Sequence, residues 1–295
     1  MKIIRPSVEI LEQGPGIEGM YKQIEQAGRN CYQSSHLIGE NTAKSFVERM
    51  VASQHTAMLE HGAVYLQMPY SKTAFNAFDK NPYSKVTEIK EAGCLFVSTN
   101  YRVIIENQLE DLMKYQVEPG PMHELRVTAR FNTQIAISRE YNRHRVDSIA
   151  EESTRYCNYS KDKYANEIKV NLPSWIAEDV IEQYNDRYNI ERYTKAIANG
   201  SATEMDALDW WLFANLACET AYMKLIEKGW PAQQARTILP LDTNTTLVHT
   251  AFVSDWQHFF DLRSRGTTGK PHPDAKVLAD ELLKQFVEKG YVRCD

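Results

Sequence analysis

The cysteines of this chain form no recognisable pattern. Five occur among the 295 residues, and no two of them have the two-residue spacing of a CxxC pair. An odd count without such a pair indicates neither a zinc site nor a disulfide framework. We therefore expect no metal site, and a reducing compartment, the cytoplasm, as the location. The cysteines are Cys31, Cys94, Cys157, Cys218 and Cys294.

Long apolar runs are also missing. No stretch approaches the roughly 18 apolar residues of a membrane-spanning helix, and residues 1–6 contain no apolar segment of signal-peptide length. The formal net charge of −5 and the pI near 6.0 argue against a broad surface for binding polyanions. We expect a protein that binds neither membranes nor nucleic acid.

Positive charge is instead concentrated in one short region. The run Arg143-His144-Arg145 is followed, after seven residues, by Ser153-Thr154-Arg155-Tyr156. The planar guanidinium group matches the oxygens of phosphate and carboxylate groups. The cluster therefore predicts a ligand with more than one phosphate, or with a phosphate and a polar ring. Surface ion pairs with Asp147, Glu151 and Glu152 are the alternative interpretation.

Apolar periodicity predicts helices at both ends of the chain and strands between them. Residues 21–31 and 42–53 have helical spacing, and residues 63–68 alternate as a strand does. Residues 95–106 and 124–131 are rich in β-forming residues, and residues 107–115 predict a short helix. Because no domain linker is evident, we expect one domain over residues 1–295, with an extended connection at about 71–121.

Helical spacing returns after residue 132. Residues 133–144 predict a helix with Asn132 as its N-cap, which would place Glu140, Arg143 and His144 on one face. Further helices are predicted over residues 175–199, 203–228 and 275–289. Five aromatic side chains are expected in the core or in a subunit interface: Tyr184, Tyr188, Trp210, Trp211 and Phe213. The inward face of the last helix is expected to hold Val277, Leu278, Leu282, Leu283 and Phe286.

Residues 143–156 read RHRVDSIAEESTRY, and this run resembles the signature of the flavin-dependent thymidylate synthases, RHRxxSxNExSxRY. Every fixed position matches except one, where Ala150 replaces Asn. Four further segments, spread along the chain, resemble elements of the same family. They are residues 27–32 with Cys31, 55–61 with His55, 235–241 with Arg236, and 259–263 with Arg263.

The resemblance implies a fold and an activity. The implied fold is α+β, with a mixed or antiparallel central sheet flanked by helices. The implied enzyme is a methyltransferase that converts dUMP to dTMP, with methylenetetrahydrofolate as carbon donor and with FAD that is reduced by NADPH. The resemblance also implies a homotetramer whose active sites are shared between subunits.

Individual roles follow from the same resemblance. The implied dUMP contacts are Glu140, Arg143, Glu151, Ser153, Thr154, Arg155, Arg236 and Arg263. The implied FAD contacts are Cys31, His55, Arg143, His144, Arg145, Glu151 and His258. Arg263 matches the catalytic arginine that lies against the pyrimidine and favours its enolate-like form. A fixed charge of this kind typically contributes about two to three orders of magnitude in rate.

Covalent catalysis has little support in the sequence. No cysteine follows proline, so the thiolate route of other thymidylate synthases is not indicated. Ser153 has no histidine near it in sequence to act as a base, so we interpret it as a ligand for phosphate or ring.

Two other interpretations stay open. The arginine cluster also suits a nucleotide- or RNA-binding protein, although the acidic net charge argues against this. Its stacking residues would be Tyr156, Tyr159 and Tyr164. The second interpretation is a family member that binds flavin but has lost or changed methyl transfer. It rests on the replacements at Ala57, Ala150 and Phe252.

Overall fold

The computed structural model describes residues 1–177 and 189–293. In chain order the strands are β1 Lys2–Ile4, β2 Ser7–Leu11, β3 Ala63–Pro69, β4 Lys85–Ile89, β5 Cys94–Asn100, β6 Arg126–Gln134, β7 Ser148–Glu151, β8 Lys169–Asn171 and β9 Asn244–Phe252. The α-helices of the described residues are α1 Gly16–Asn30, α2 Thr42–Ala52, α3 Lys72–Asp79, α4 Tyr101–Glu106, α5 Ile135–Tyr141, α6 Ile190–Ala198, α7 Ala207–Glu227, α8 Ala232–Ala235, α9 Val253–Phe260 and α10 Pro273–Glu288. A π-helical turn, Asp261–Arg265, follows α9.

The chain forms two compact units. The first unit comprises Met1–Ser7, Asn132–Glu140 and Glu152–Thr245. The second unit comprises Val8–Phe131, Tyr141–Glu151 and Thr246–Asp295. The residues expected to bind ligand are therefore divided between the two units.

Antiparallel pairing dominates the sheets. Strands β3, β5 and β4 form an antiparallel sheet in the second unit. Strand β7 pairs antiparallel with β9 at the edge of a sheet of order β2-β6-β9-β7. The first unit contains the parallel pair of β1 and β8. Together with the helices, these sheets confirm the predicted α+β class with mixed and antiparallel strands.

Helices α1 and α2 pack together in the second unit because each has an apolar stripe. Met20 and Ala27 of α1 are buried, and so are Phe46 and Val47 of α2. Gly28 permits the close approach, since a Cβ atom at this position would lie 2.5 Å from Cζ of Phe46. The helical spacing of residues 21–31 and 42–53 predicted both elements correctly.

Helix α7 begins at a capping box in the first unit. Asp206 accepts from the amide of Asp209, and the carboxylate of Asp209 accepts in return from the amide of Asp206. Trp211 and Phe213 pack against the core of this unit, as predicted. Trp210 is 44% exposed and lies outside this core, so its place in a subunit interface stays a prediction.

Two predicted boundaries are wrong for local reasons. Residues 101–106 are helical and not extended, because the side chain of Asn100 accepts from the amide of Val103 and caps α4. Asn132 is not an N-cap, because β6 continues to Gln134 and α5 starts at Ile135. Residues 71–121 contain α3, β4, β5 and α4.

The predictions for the C-terminal third are tested in part. Helix α6 accounts for the end of the predicted helix 175–199, whereas residues 175–177 are not helical. Tyr184 and Tyr188 lie outside the described residues. Helix α10 is confirmed, but Val277 is half exposed and therefore not on its inward face. Across residues 1–177 and 189–293, no helix combines the length and apolar character needed to cross a membrane.

Candidate active site

The segment between α5 and β7 carries the signature arginines. It consists of two consecutive turns: the amide of His144 donates to the last residue of α5, and the amide of Asp147 donates to the carbonyl of His144. Arg143 and Arg145 are exposed, while His144 is buried. Because α5 ends at residue 141, the helical face predicted for Glu140, Arg143 and His144 does not form.

These residues line a cleft of about 230 Å³ in the second unit. Four of the predicted flavin contacts and the predicted catalytic arginine therefore lie together. The lining residues are Arg143, His144, Arg145, Val146, Asp147, Asp255, His258, Leu262 and Arg263.

The π-helical turn Asp261–Arg265 places Arg263 against His144. Its Nε donates to Nε2 of His144 over 3.3 Å. The arginine lies in the π-helical turn, a geometry that is frequent at functional sites. Helix α10 anchors this turn, because Lys276 donates to the carbonyl of Ser264 and the Ser264 hydroxyl donates to Asp280. The backbone position of Arg263 is therefore fixed by the contacts between this turn and α10.

The ring of His144 is neutral at physiological pH. Burial lowers the pKa of His144 to about 4, and the proximity of His249, Arg263 and His258 acts in the same direction, while Asp147 opposes it. Since Nε2 accepts from Arg263, the ring proton resides on Nδ1. The contact therefore fixes the guanidinium group without neutralising its charge.

Two further residues of the signature run, Asp147 and Ser148, hold the segment to the rest of the second unit. Nε2 of His249 lies 2.8 Å from Oδ2 of Asp147, and both side chains are fully buried. Among the described residues, neither of these two atoms has a hydrogen-bond partner of good geometry. Ser148 accepts from the guanidinium of Arg126 over 3.1 Å.

The carboxylates of the second unit's signature segment do not pair with its arginines. Glu151 accepts from Nδ2 of Asn142 over 3.0 Å, and Asp147 lies beside His249. Within the part of the chain that the structure describes, the side chains of Arg143 and Arg145 have no ion-pair or hydrogen-bond partner. The interpretation as surface ion pairs is therefore wrong for these two arginines.

A second cleft, of about 340 Å³, also lies in the second unit and holds two more predicted flavin contacts, Cys31 and His55. Burial raises the pKa of the Cys31 thiol to about 11, so this thiol stays protonated at neutral pH. The lining is largely apolar and includes Phe46, Met50 and Met58. The cleft suits a flat apolar ring better than thiol chemistry.

The other predicted dUMP contacts lie in the first unit. Arg236 donates through Nη1 to Oγ1 of Thr154 over 3.1 Å, which joins residues 236–238 to the signature. Arg155 is exposed, and its guanidinium carbon lies 5.5 Å from the ring centroid of Tyr156. The carbonyl of Ser153 accepts from the amide of Tyr156, while its hydroxyl makes no hydrogen bond among the described residues. Hydroxyl and guanidinium groups are thus available to an anion here.

Tyr159 and Tyr164 are structural residues of the first unit. Both are buried, and the hydroxyl of Tyr159 donates to Glu152 over 3.2 Å. They cannot offer a ring face to a base, whereas Tyr156 is 60% exposed. The interpretation as an RNA-binding protein is therefore wrong in two of its three stacking residues.

Sequence reasoning missed several residues around these clefts. Asn142 and Asp147 occupy positions without a fixed residue type in or beside the signature, and Arg126 is brought from β6 by the tertiary fold. No pattern in the sequence signals any of them. No group of three or more potential metal ligands occurs among the described residues.

The fold and the clefts define a class of protein: an α+β protein whose exposed arginines and apolar cleft suit a phosphorylated ligand with a flat ring. Residues 83–289 match the family described as "Thymidylate synthase complementing protein". Because this match covers more than half of the chain, the chain belongs to that family, and the family predicted from the signature is confirmed.

Individual relatives are more distant. The flavin-dependent thymidylate synthase of Thermosipho melanesiensis is 24% identical over 185 residues, which cover 62% of this chain and 72% of the relative. The probable flavin-dependent thymidylate synthase of Paramecium bursaria Chlorella virus 1 is 38% identical over 66 residues, which cover 22% of this chain and 31% of the relative. The UMP/dUMP methylase PolB from Streptomyces cacaoi, solved with 5-Br dUMP, aligns over 98% of this chain and 93% of its own, at 15% identity and a TM-score of 0.42.

Proposed function

We propose that the protein is a flavin-dependent thymidylate synthase, which reductively methylates dUMP to dTMP. The observation that carries the proposal is one cleft that contains a fixed Arg263 together with Arg143 and Arg145, two exposed arginines without partners among the described residues. Membership of the family and the names of its matched relatives support it.

The residues present fit FAD. Arg143 and Arg145 offer two planar guanidinium groups that pair with no carboxylate among the described residues, and such groups match the oxygens of a diphosphate. The cleft that contains Cys31 and His55 offers apolar space for a flat ring system. When bound and reduced by NADPH, FAD would supply hydride and carry the one-carbon unit of methylenetetrahydrofolate to the pyrimidine.

We assign the phosphate of dUMP to the first unit's cluster. Arg155 and Arg236 would supply charge, and Ser153 and Thr154 would supply hydroxyl donors. The hydrogen bond from Arg236 to Thr154 supports this assignment, because it brings a distant arginine to the signature. Glu140 and Glu151 remain proposed contacts of the nucleotide.

Arg263 would act through its charge. A guanidinium group beside the pyrimidine stabilises the N3-deprotonated, enolate-like form, in which C5 is richer in electrons. His144 would keep this group directed, because its neutral ring accepts from Nε. A route without a cysteine nucleophile agrees with the state of two cysteines: burial raises the pKa of Cys157 to about 11, as it does for Cys31, so neither thiol is a thiolate at neutral pH.

Self-association as a homotetramer is part of the proposal. Helix α7 is apolar on more than one side, since Trp210, Ala214 and Ala221 are exposed while Leu212 and Leu216 are buried. A helix with a second apolar face usually has that face covered as well. We expect light scattering to give four times the chain mass of 34.0 kDa. A fully active monomer would contradict shared active sites.

Flavin titration followed by a turnover assay tests the proposed activity. We expect purified protein to bind FAD, the flavin absorption band to shift when dUMP is added, and dTMP to form when methylenetetrahydrofolate and NADPH are present. Flavin binding without dTMP formation would instead identify a family member that has lost methyl transfer. Failure to bind FAD would overturn the proposal.

A further inference from the structure

The side chain of Asn142 joins the two ends of the loop that carries the signature arginines. Its Nδ2 donates to Oε2 of Glu151 over 3.0 Å. Asn142 is the first residue after α5, and Glu151 is the last residue of β7. The hydrogen bond therefore closes a loop that holds Arg143, His144 and Arg145 between its ends.

The backbone of Glu151, the acceptor of this hydrogen bond, is held in the sheet. The register of β7 and β9 pairs Glu151 with Leu247 and Ala150 with Val248. Asn30 of α1 donates to the carbonyl of Ala150 over 3.3 Å, so the end of β7 is held from a second direction. The less regular end of the loop, at Asn142, is thus tied to a rigid strand.

The replacement at position 150 agrees with this arrangement. Ala150 stands where the signature has Asn, and it is buried in an apolar cluster with Leu11, Ala27 and Val248. An amide at that position would lose its hydrogen-bonding partners, which is costly in an apolar environment. Asn142 supplies an amide to the neighbouring carboxylate from outside the cluster.

The other side-chain contacts of the loop do not involve its arginines: Asp147 contacts His249, and Ser148 accepts from Arg126. Two backbone hydrogen bonds shape it, and Arg143 and Arg145 have no side-chain partners among the described residues. A hydrogen bond to a carboxylate is stronger than one between neutral groups. Loss of the hydrogen bond from Asn142 to Glu151 should therefore loosen the loop more than loss of a neutral hydrogen bond would.

We propose that Asn142 is a positioning residue: its hydrogen bond to Glu151 fixes the directions from which Arg143 and Arg145 meet an anionic cofactor. Asn142 touches no reacting atom and acts through Glu151. The proposal rests on the proposed function only in naming FAD as that cofactor.

Reversal of the donor and the acceptor tests the proposal. Asn142→Asp places a second carboxylate against Glu151, whereas Asn142→Asp combined with Glu151→Gln restores an amide–carboxylate pair in the opposite sense. We expect N142D to raise the Kd for FAD about tenfold or more. In the Glu151→Gln background the same change should instead be neutral or favourable. A sum of the two single effects would overturn the proposal.

Asn166→Asp is the matched control. Nδ2 of Asn166 also donates to a carboxylate, that of Asp162, over 3.1 Å, but at an exposed position in the first unit. We expect N166D to bind FAD as the unmodified protein does. An equal loss of affinity in N166D and N142D would overturn a specific role for Asn142.

Hydrogen exchange in the FAD-free protein separates this proposal from the proposed function. Backbone amides of residues 143–147 should exchange faster in N142D, return towards the original rate in the double variant, and stay unchanged in N166D. An unmodified protein that binds no FAD overturns the proposed function alone. Unchanged exchange in N142D overturns the positioning role, and N142A, measured in the same way, replaces N142D if that variant does not fold.

Discussion

Nε of Arg263 donates to Nε2 of His144 over 3.3 Å, although 119 positions separate the two residues in the chain. Burial lowers the pKa of His144 to about 4, so the acceptor is a neutral ring at pH 7. The contact directs the guanidinium group and leaves its positive charge intact. An arginine placed in this way can stabilise negative charge that develops on a bound ring.

Replacement of Arg263 by alanine should abolish most of the proposed activity. We expect kcat for dTMP formation to fall by about two to three orders of magnitude, because a fixed positive charge beside the pyrimidine is lost. FAD binding should persist, since Arg143 and Arg145 remain. Anaerobic turnover and flavin titration of the same sample measure the two quantities.

Arg265→Ala is the control for this variant. Arg265 lies on the same π-helical turn, but it pairs with Asp261 over 2.7 Å at the surface. We expect turnover within about twofold of the unmodified protein, because exposed ion pairs contribute little. Equal losses in the Arg263 and Arg265 variants would show that the turn is merely disrupted and would remove Arg263 from the catalytic role.

His61 makes the stability of the fold depend on pH. It is fully buried, with Nδ1 2.8 Å from Oγ1 of Thr250. Burial, followed by the positive charge of Arg126 and the proximity of His249, lowers the pKa of His61 from 6.5 to about 3. Between these values the unfolded chain binds more protons than the folded protein, so the free energy of unfolding falls as the pH decreases below 6.5.

His61→Leu should therefore make stability less dependent on pH. One proton contributes at most about 1.4 kcal/mol per pH unit to the slope. Urea unfolding at several values between about pH 7 and pH 4.5 would measure this slope. The exposed His36→Leu variant should keep the original slope. Parallel curves for His61→Leu and the unmodified protein would contradict the assignment.

Local sequence patterns were sufficient for elements whose burial is periodic. The apolar stripes of α1 and α2 predicted both helices. Strand β3 was also predicted, from alternation, although its first four residues are all buried. The pattern did not reveal α4, because a continuous run of β-forming residues hides the point at which Asn100 caps a helix. It also placed a helix start at Asn132, where strand pairing continues the extended backbone for two more residues.

The site was predictable only as a set of residue types. Family resemblance indicated Arg143, His144 and Arg263, and the structure brings them to one cleft. It gave no indication of the π-helical turn, the neutral state of His144 or the hydrogen bond from Asn142 to Glu151. These features depend on contacts between residues far apart or on side-chain directions, which a one-dimensional pattern does not contain.

Gly28 should be intolerant of any side chain. An added Cβ atom would lie 2.5 Å from Cζ of Phe46, a residue that also lines the cleft with Cys31 and His55. We expect Gly28→Ala to cost about 1–3 kcal/mol of stability by overpacking and to weaken FAD binding. Thermal unfolding and flavin titration measure the two effects.

The matched control for Gly28 is Gly39→Ala. A Cβ atom there meets only Cγ2 of Thr42 at 3.5 Å, an ordinary contact, so little change is expected. Phe46→Leu should recover part of the stability lost in Gly28→Ala, because it removes the ring atoms that clash. Equal stabilities of the two alanine variants would show that α1 and α2 separate without cost.

Arg155 and Arg236 should determine the affinity for the nucleotide and not the rate of the reaction. Each would donate charged hydrogen bonds to the phosphate of dUMP, worth about 1.5–3 kcal/mol. Arg155→Ala or Arg236→Ala should therefore raise the KM for dUMP about 10- to 100-fold with kcat nearly unchanged.

Arg192→Ala is a close control. The guanidinium carbon of Arg192 lies 5.6 Å from the ring of the next residue, Tyr193, much as that of Arg155 lies 5.5 Å from Tyr156. Steady-state kinetics with saturating folate separates KM from kcat. A fall in kcat with an unchanged KM would place these arginines at the reacting ring instead, and an equal effect in Arg192→Ala would reduce their role to general surface charge.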